Sequence, residues 1–170
     1  EVGSSVAVVG CGGVGLNIVQ GALLAGAGRI IAVDVLENKL EFARQFGATD
    51  LINGRGGDAV QQVLDTTDGG VDYAFEAIGA TKTIEDAYQM VSLGGKVVVV
   101  GMTAEDAVIE INSLSIPRNE KTIVGSWYGG ARPWVDLPKL ADLYIDGKIK
   151  IDPLISRTYP LEGINEAFSA

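Results

Sequence analysis

Short, continuous apolar runs alternate with longer amphipathic stretches along this chain. Val6-Ala7-Val8-Val9 is the first such run and predicts a buried strand. Val14 to Ala25 predicts a helix, with Val14, Ile18 and Ala22 on one face. Arg29 to Asp34 carries Ile30, Ile31, Ala32 and Val33 and predicts a second strand, followed by a helix from Leu36 to Phe46 with Gly47 as its C-cap. Leu51-Ile52 predicts a short third strand, and Asp58 to Leu64 a helix with Asp58 as N-cap. Strands are predicted again at Val71 to Phe75, Lys96 to Val100 and Lys121 to Val124, with a helix at Thr81 to Val91. Val108 to Ile111 alternates and predicts a small edge strand, and Pro133 to Ile145 a further helix with Pro133 in its first turn. Leu161, Ile164 and Phe168 are spaced as the start of an amphipathic helix, and the chain stops two residues after Phe168, which reads as a cut rather than a natural end.

Strands that are apolar throughout are covered on both faces, which implies a parallel sheet with helices as crossovers. The expected architecture is an α/β doubly wound fold of Rossmann type. Six mainly parallel strands run in the order 3-2-1-4-5-6, with helices on both faces, and residues 1–170 form one domain.

Composition narrows the function. The 170 residues are 47 % hydrophobic, enough to bury a core, and the 23 glycines fall in short loops between the elements. The net charge of −9 argues against a nucleic-acid partner, which needs a cationic face. No apolar run approaches the ~20 residues that cross a bilayer, and no signal peptide opens the chain, so no membrane role is expected. A single cysteine cannot form an internal disulfide and fits a reducing, cytoplasmic setting. The chain contains no histidine. That removes the usual acid–base catalyst and the commonest metal ligand, so neither a catalytic residue nor a metal site is expected here.

One segment carries a chemical signature. Gly10-Cys11-Gly12-Gly13-Val14-Gly15 satisfies G-x-G-x-x-G, a weak pattern alone. Here it follows an apolar strand and opens a helix, and a second apolar strand ends at Asp34, nineteen residues after Gly15. Gly10 permits the tight turn, Gly12 lets the backbone approach a pyrophosphate, and Gly15 lets the helix pack closely on the first strand. The helix N-terminus then faces the phosphates. Asp34 can accept hydrogen bonds from both adenosine ribose hydroxyls and would repel a 2′-phosphate. Val35-Leu36-Glu37 offers no arginine to receive one, so NAD is favoured over NADP. Cys11, with no base at hand, reads as a small packing residue rather than a nucleophile. S-adenosylmethionine folds also use a glycine loop, but theirs follows an acidic residue, whereas Val8-Val9 precede Gly10 here.

In open α/β sheets the ligand lies beyond the carboxyl ends of the strands. The fourth predicted strand ends at Glu76-Ala77-Ile78-Gly79, the fifth at Val100-Gly101-Met102 and the sixth at Gly125-Ser126-Trp127-Tyr128. These ends suggest a backbone-lined groove. Glu76 fits either a buried acid or a groove-lining one, and Trp127 and Tyr128 read first as packing or interface residues.

The chain resembles the cofactor-binding domain of the zinc-type, medium-chain alcohol dehydrogenases. The likeness runs through Val6 to Asn17, Arg29 to Lys39, Phe46 to Thr49, Gly69 to Gly79, Gly94 to Gly101 and Asp152 to Phe168, which ends in Ile164-Asn165-Glu166-Ala167-Phe168. The resemblance implies pyrophosphate binding at Gly10, Gly12, Gly13 and Val14, ribose binding at Asp34 and Lys39, and nicotinamide contacts at Ala77, Ile78, Val100, Met102, Ser126 and Tyr128. With Gly15, Val35 and Gly101 these form the expected cofactor-binding set. The resemblance also implies a homodimer joined at the Lys121 to Gly125 sheet edge, and a catalytic domain, holding the zinc ligands and proton relay, that has no counterpart here. The expected function is NAD(H) binding that positions the nicotinamide for hydride transfer in an alcohol or aldehyde dehydrogenase, without turnover by this chain alone. A non-catalytic NAD(H)-binding module is the alternative.

Overall fold

The structure is a computed structural model, and it describes residues 1–169. Six strands form one sheet: β1 (Ser5–Val9), β2 (Arg29–Asp34), β3 (Asp50–Asn53), β4 (Val71–Glu76), β5 (Val91–Val99) and β6 (Thr122–Gly125). Their spatial order is β3-β2-β1-β4-β5-β6 and every pairing is parallel, as the apolar runs predict. The connecting helices are α1 (Gly13–Leu24), α2 (Glu37–Phe46), α3 (Ala59–Thr67), α4 (Thr81–Met90) and a single turn, α5 (Ser115–Arg118).

Strand alternation sends neighbouring residues to opposite faces. Ala7, Val9, Ile31, Val33, Ile52, Ala74 and Val97 form one core with Val63 of α3 and Ala87, Tyr88 and Met90 of α4. Val8 and Ile30 point the other way, where Leu16 and Val19 of α1 and Leu40, Ala43 and Phe46 of α2 are buried. Gly47 closes α2 in the left-handed region (φ 113°), the C-cap role read from the sequence.

Four details differ from the pattern reading. The buried face of α1 is Gly15, Leu16, Val19 and Gln20. The stripe of Val14, Ile18 and Ala22 faces grooves instead, because the close approach of the helix to the sheet selects the glycine side. Val108 to Ile111 is not a strand. Glu110 donates its N–H to Glu85 Oε1 at 2.8 Å and Ile111 packs on the core, so this backbone has no strand partner. Asp58 occupies the N-cap position of α3 but makes no side-chain capping bond among the described residues. β5 begins at Val91, with a register shift in its pairing to β4 between Val71 and Tyr73.

The described residues group into two compact units. Glu1–Arg132 contains the whole sheet. The second begins at Pro133 and carries α6 (Pro133–Ile145) and α7 (Ile164–Ser169), the latter at the place expected for an amphipathic helix. Within it Tyr144 donates its hydroxyl to Asp152 Oδ1 at 2.8 Å.

Ile31 sits in the central core at 0 % exposure. Truncation in Ile31→Ala should cost about 2–5 kcal/mol, lost transfer energy plus the cavity left behind. Urea unfolding followed by circular dichroism reads this, and a loss well under 1 kcal/mol would show that the site collapses freely.

Candidate functional site

The carboxyl ends of five neighbouring strands make one rim. Hydrogen bonds extend the ladder beyond the strands. Gly10 donates its N–H to the Val33 carbonyl (2.8 Å), Ala77 to Val9 (2.9 Å), Val100 and Gly101 to Glu76 (2.9 and 3.0 Å), and Ser126 to Val99 (2.9 Å). Residues far apart in the chain thus stand in a row: Asp34, Gly10, Ala77, Val100 and Ser126.

The glycine loop is shaped by close contacts at two positions. At Gly10 φ is +96°, and a Cβ would stand 2.5 Å from Ile78 Cγ1. At Gly15 a Cβ would lie 1.8 Å from the Gly10 carbonyl oxygen, so α1 sits directly on the turn it leaves. At Gly12 and Gly13, by contrast, a Cβ would meet nothing within 4 Å. That open space lies before a helix N-terminus with no side-chain cap and no acidic residue in its first turn. The first-turn N–H groups have no intrahelical acceptor, and the helix dipole adds partial positive charge. Space, donors and charge fit a phosphate group.

Asp34 closes β2 beside this loop and is 9 % exposed. Its Oδ2 accepts the Cys11 N–H (2.8 Å) and its Oδ1 accepts the Leu36 N–H (3.0 Å). Each oxygen keeps a further lone pair. Its carboxylate therefore holds the glycine loop against β2 and keeps acceptor capacity at the rim. Val35 is exposed, and Lys39 is half-buried on α2, close enough to bear electrostatically on Cys11.

Cys11 is buried, and its Sγ lies 3.8 Å from the Val33 carbonyl oxygen. Burial, reinforced by the Asp34 carboxylate, pushes its thiol up to about 12. A thiol held neutral in this way is no nucleophile, in line with the packing role read from the sequence.

Beyond the loop the rim widens into an apolar cleft of about 760 Å³. Val14, Asn17 and Ile18 of α1 form one wall, Phe75, Val98, Val100 and Met102 another, and Ser126, Trp127, Tyr128 and Gly129 close it. Tyr128, Gly129 and Gly130 are all left-handed (φ 49°, 67° and 62°), which turns the chain sharply after β6. Trp127 and Tyr128 are 69 % and 84 % exposed and pack edge-to-face on each other, so of the two sequence readings, packing or interface, core packing does not hold. Another groove, lined by Ser4, Val6, Ala25 and Tyr73, lies toward the opposite ends of β1 and β4.

Glu76, left open by the sequence, is a fully buried acid. Its Oε1 accepts the N–H groups of Ile78 (2.9 Å) and Gly79 (2.8 Å) and the Thr83 hydroxyl (2.8 Å). Gly101 is a spacer, since a Cβ there would stand 2.1 Å from the Gly79 nitrogen. The expected set thus gathers along one rim, with Gly101 beneath it and Lys39 flanking it on α2. Pattern reading did not single out Asn17, Ile18, Phe75, Val98 or Trp127 for the cleft. Strand alternation places Phe75 and Val98 on the α1 side, and that signal was available.

Among the described residues no three His, Cys, Asp or Glu side chains group to hold a metal ion, and no helix is long and apolar enough to cross a membrane.

Comparison with known proteins sets this rim in context. Residues 13–145 match the zinc-binding dehydrogenase family. Over 170 residues the chain is 42 % identical to a protein from Schizosaccharomyces pombe named as a probable S-(hydroxymethyl)glutathione dehydrogenase, covering 99 % of this chain and 45 % of that one. An alcohol dehydrogenase zinc-binding domain protein from Burkholderia ambifaria superposes with a TM-score of 0.94 at 35 % identity, over 99 % of this chain and 45 % of that one. A Sinorhizobium meliloti protein described as a zinc-binding dehydrogenase and bound to NADP gives a TM-score of 0.90 at 32 % identity, over all of this chain and 49 % of that one. The chain spans a little under half the length of these relatives.

The raised Cys11 thiol gives a test of this local packing. At pH 8 roughly one thiol in ten thousand is ionised, so a thiol reagent should label the native chain far more slowly than the denatured one. The unfolded thiol ionises near 9.0 while the folded one stays protonated to about 12, so the folded state binds more protons in that window. Stability therefore falls as pH rises from 9 toward 12, and more shallowly in Cys11→Ala. Equal labelling of native and unfolded chains would contradict the buried assignment.

Proposed function

The chain belongs to the zinc-binding dehydrogenase family, and from that membership we propose that it is the NAD(H)-binding domain of a larger alcohol or aldehyde dehydrogenase. The observation that carries this reading is the open, uncapped N-terminus of α1 with the Asp34 carboxylate beside it. Phosphate binding falls to the backbone of Gly12, Gly13 and Val14, with Gly10 and Gly15 shaping the loop. Ribose binding falls to Asp34, with Val35 and Lys39 flanking it. Ala77, Ile78, Val100, Met102, Ser126 and Tyr128 hold the nicotinamide end against the apolar cleft, and Gly101 sets the spacing beneath them. When bound, the nicotinamide supplies a hydride acceptor at its C4. The chain's own contribution is to bind, orient and keep water from one face of the ring, through Val14, Phe75 and Val98.

A zinc ion does not fit these residues. The chain has no histidine, and its one cysteine is a buried, neutral thiol. Substrate activation and proton transfer are therefore assigned to a further portion of the protein. The greater length of the relatives supports this. Given NAD and a primary alcohol, this chain alone should produce no NADH, and absorbance at the NADH band would reveal any turnover that contradicts the assignment.

NAD is favoured over NADP because Asp34 is nearly buried and already committed to two backbone N–H groups, so it cannot swing away from a 2′-phosphate. The repulsion should make NAD binding roughly ten- to a hundredfold tighter than NADP binding. Asp34→Asn should weaken NAD and bring the two affinities together. Titration calorimetry decides, and tighter NADP binding by the wild type would overturn the preference.

All of β6 is exposed, with Ile123 and Val124 near 40 %. An open edge of this kind is a template for pairing with a second copy. We assign the Lys121 to Gly125 edge to a homodimer contact. Sedimentation velocity should show a dimer, and a monomer at every concentration would dismiss it.

A further inference from the structure

Glu76 is the one acid of the rim that cofactor binding, as proposed above, does not use. It is 0 % exposed, and Oε1 alone carries its three hydrogen bonds. Oε2 is buried and has no hydrogen-bond partner among the described residues. The direction in which Gly101 would carry a Cβ points at it, 2.6 Å away, so only a Cα–H fits there. None of the ion pairs among the described residues includes Glu76. This is a buried carboxylate whose hydrogen bonds, from two N–H groups and one hydroxyl, all fall on one oxygen, with no cation paired to it among the described residues.

Its place in the sheet is central to the rim. Glu76 pairs with Val9 on one side and Val99 on the other, so it stands between the glycine loop and the start of the cleft. Phe75 faces the cleft, so Glu76 points to the opposite side and lies one strand layer below. An interior of low dielectric transmits an unpaired charge across such a layer far better than water does. Oxidised and reduced nicotinamide rings differ by one positive charge, and the rest of the cofactor is the same.

We propose that the unpaired carboxylate of Glu76 is a positioning and selectivity group that biases this site toward the oxidised, cationic nicotinamide over the reduced, neutral one. The proposal rests on the cofactor reading above. Glu76 does not touch the reacting atoms. It acts through the field it places beneath the rim, while Oε1 gathers the Ile78 and Gly79 amides that shape the turn.

The test compares dissociation constants of NAD+, NADH and ADP-ribose, which lacks the ring, on the full 170-residue chain. Glu76→Gln removes the charge and keeps an oxygen acceptor. It should raise the NAD+ to NADH ratio of dissociation constants by about three- to tenfold, leaving ADP-ribose unchanged. Glu76→Asp keeps the charge and should hold that ratio within about twofold of wild type even if all three ligands weaken. Equal weakening of all three ligands by Glu76→Gln would reduce Glu76 to a turn-stabilising residue and overturn the proposal. If the Gln variant does not fold, Glu76→Met, uncharged and of similar length, takes its place: the same rise in the ratio is expected, and an unmoved ratio overturns the proposal. Wild-type chain that binds none of these ligands, ADP-ribose included, would instead remove the cofactor reading and the proposal with it.

Discussion

The contact between Gly15 and the Gly10 carbonyl is the constraint on which the rest of the site depends. No side chain fits in that space, and so α1 meets the end of β1 at backbone distance. Two consequences follow from this one approach. The first turn of α1 points its amides at the open side of the loop, and the helix turns its glycine and leucine face, not its Val14–Ile18 stripe, toward the sheet. That stripe is then free to wall the cleft. A bulkier residue at 15 would force the helix outward and misplace the first-turn amides and the cleft wall together.

The two acids of the rim solve a shared problem in different ways. β2 and β4 each end on a carboxylate, Asp34 and Glu76. Each accepts the N–H of the residue two positions on, Leu36 or Ile78, and so each tightens the turn that leaves its strand. Asp34 also reaches across to Cys11 and clamps the glycine loop to β2. Glu76 reaches forward to Gly79 and Thr83 and clamps the turn into α4. One acid is at the edge of solvent, where a polar ligand can meet it. The other is sealed beneath Gly101. A parallel sheet makes such acids useful, because its carboxyl edge exposes carbonyl and amide groups that need organising before a ligand can use them.

Much of this was legible in the residues. Apolar runs such as Ile30 to Val33, too short for helices and bounded by turn residues, read as strands covered on both faces, which pointed to a parallel sheet and its crossovers. Asp34 was legible because the glycine loop and the next strand end are fixed in spacing by the βαβ unit. Glu76 was not, since its burial depends on Gly101 in the turn after β5, and no local pattern records that approach. Alternation misread Val108 to Ile111 because the same polar–apolar rhythm serves a loop that drops Ile111 onto the core and ties Glu110 to Glu85. Asp58 had the right residue type for a cap, but the preceding turn leaves its side chain without a bond to the helix amides.

The two halves of the rim suit two different kinds of ligand chemistry. Around Gly10 to Gly15 and Asp34 the groups are backbone amides and a carboxylate in a confined turn, matched to charged and hydroxylated parts of a dinucleotide. Around Val14, Phe75, Val98 and Met102 the surface is wide and apolar, matched to a flat ring. On the proposed cofactor reading, the directional donors therefore stand at the end remote from any reaction. The ring end is left with shape and field. A surface without local hydrogen-bond demands sets no charge of its own against a ring, which leaves room for the field proposed for Glu76. The order of strands in a doubly wound fold makes this division natural, because β1 and β2 supply the polar half and β4, β5 and β6 supply the apolar one.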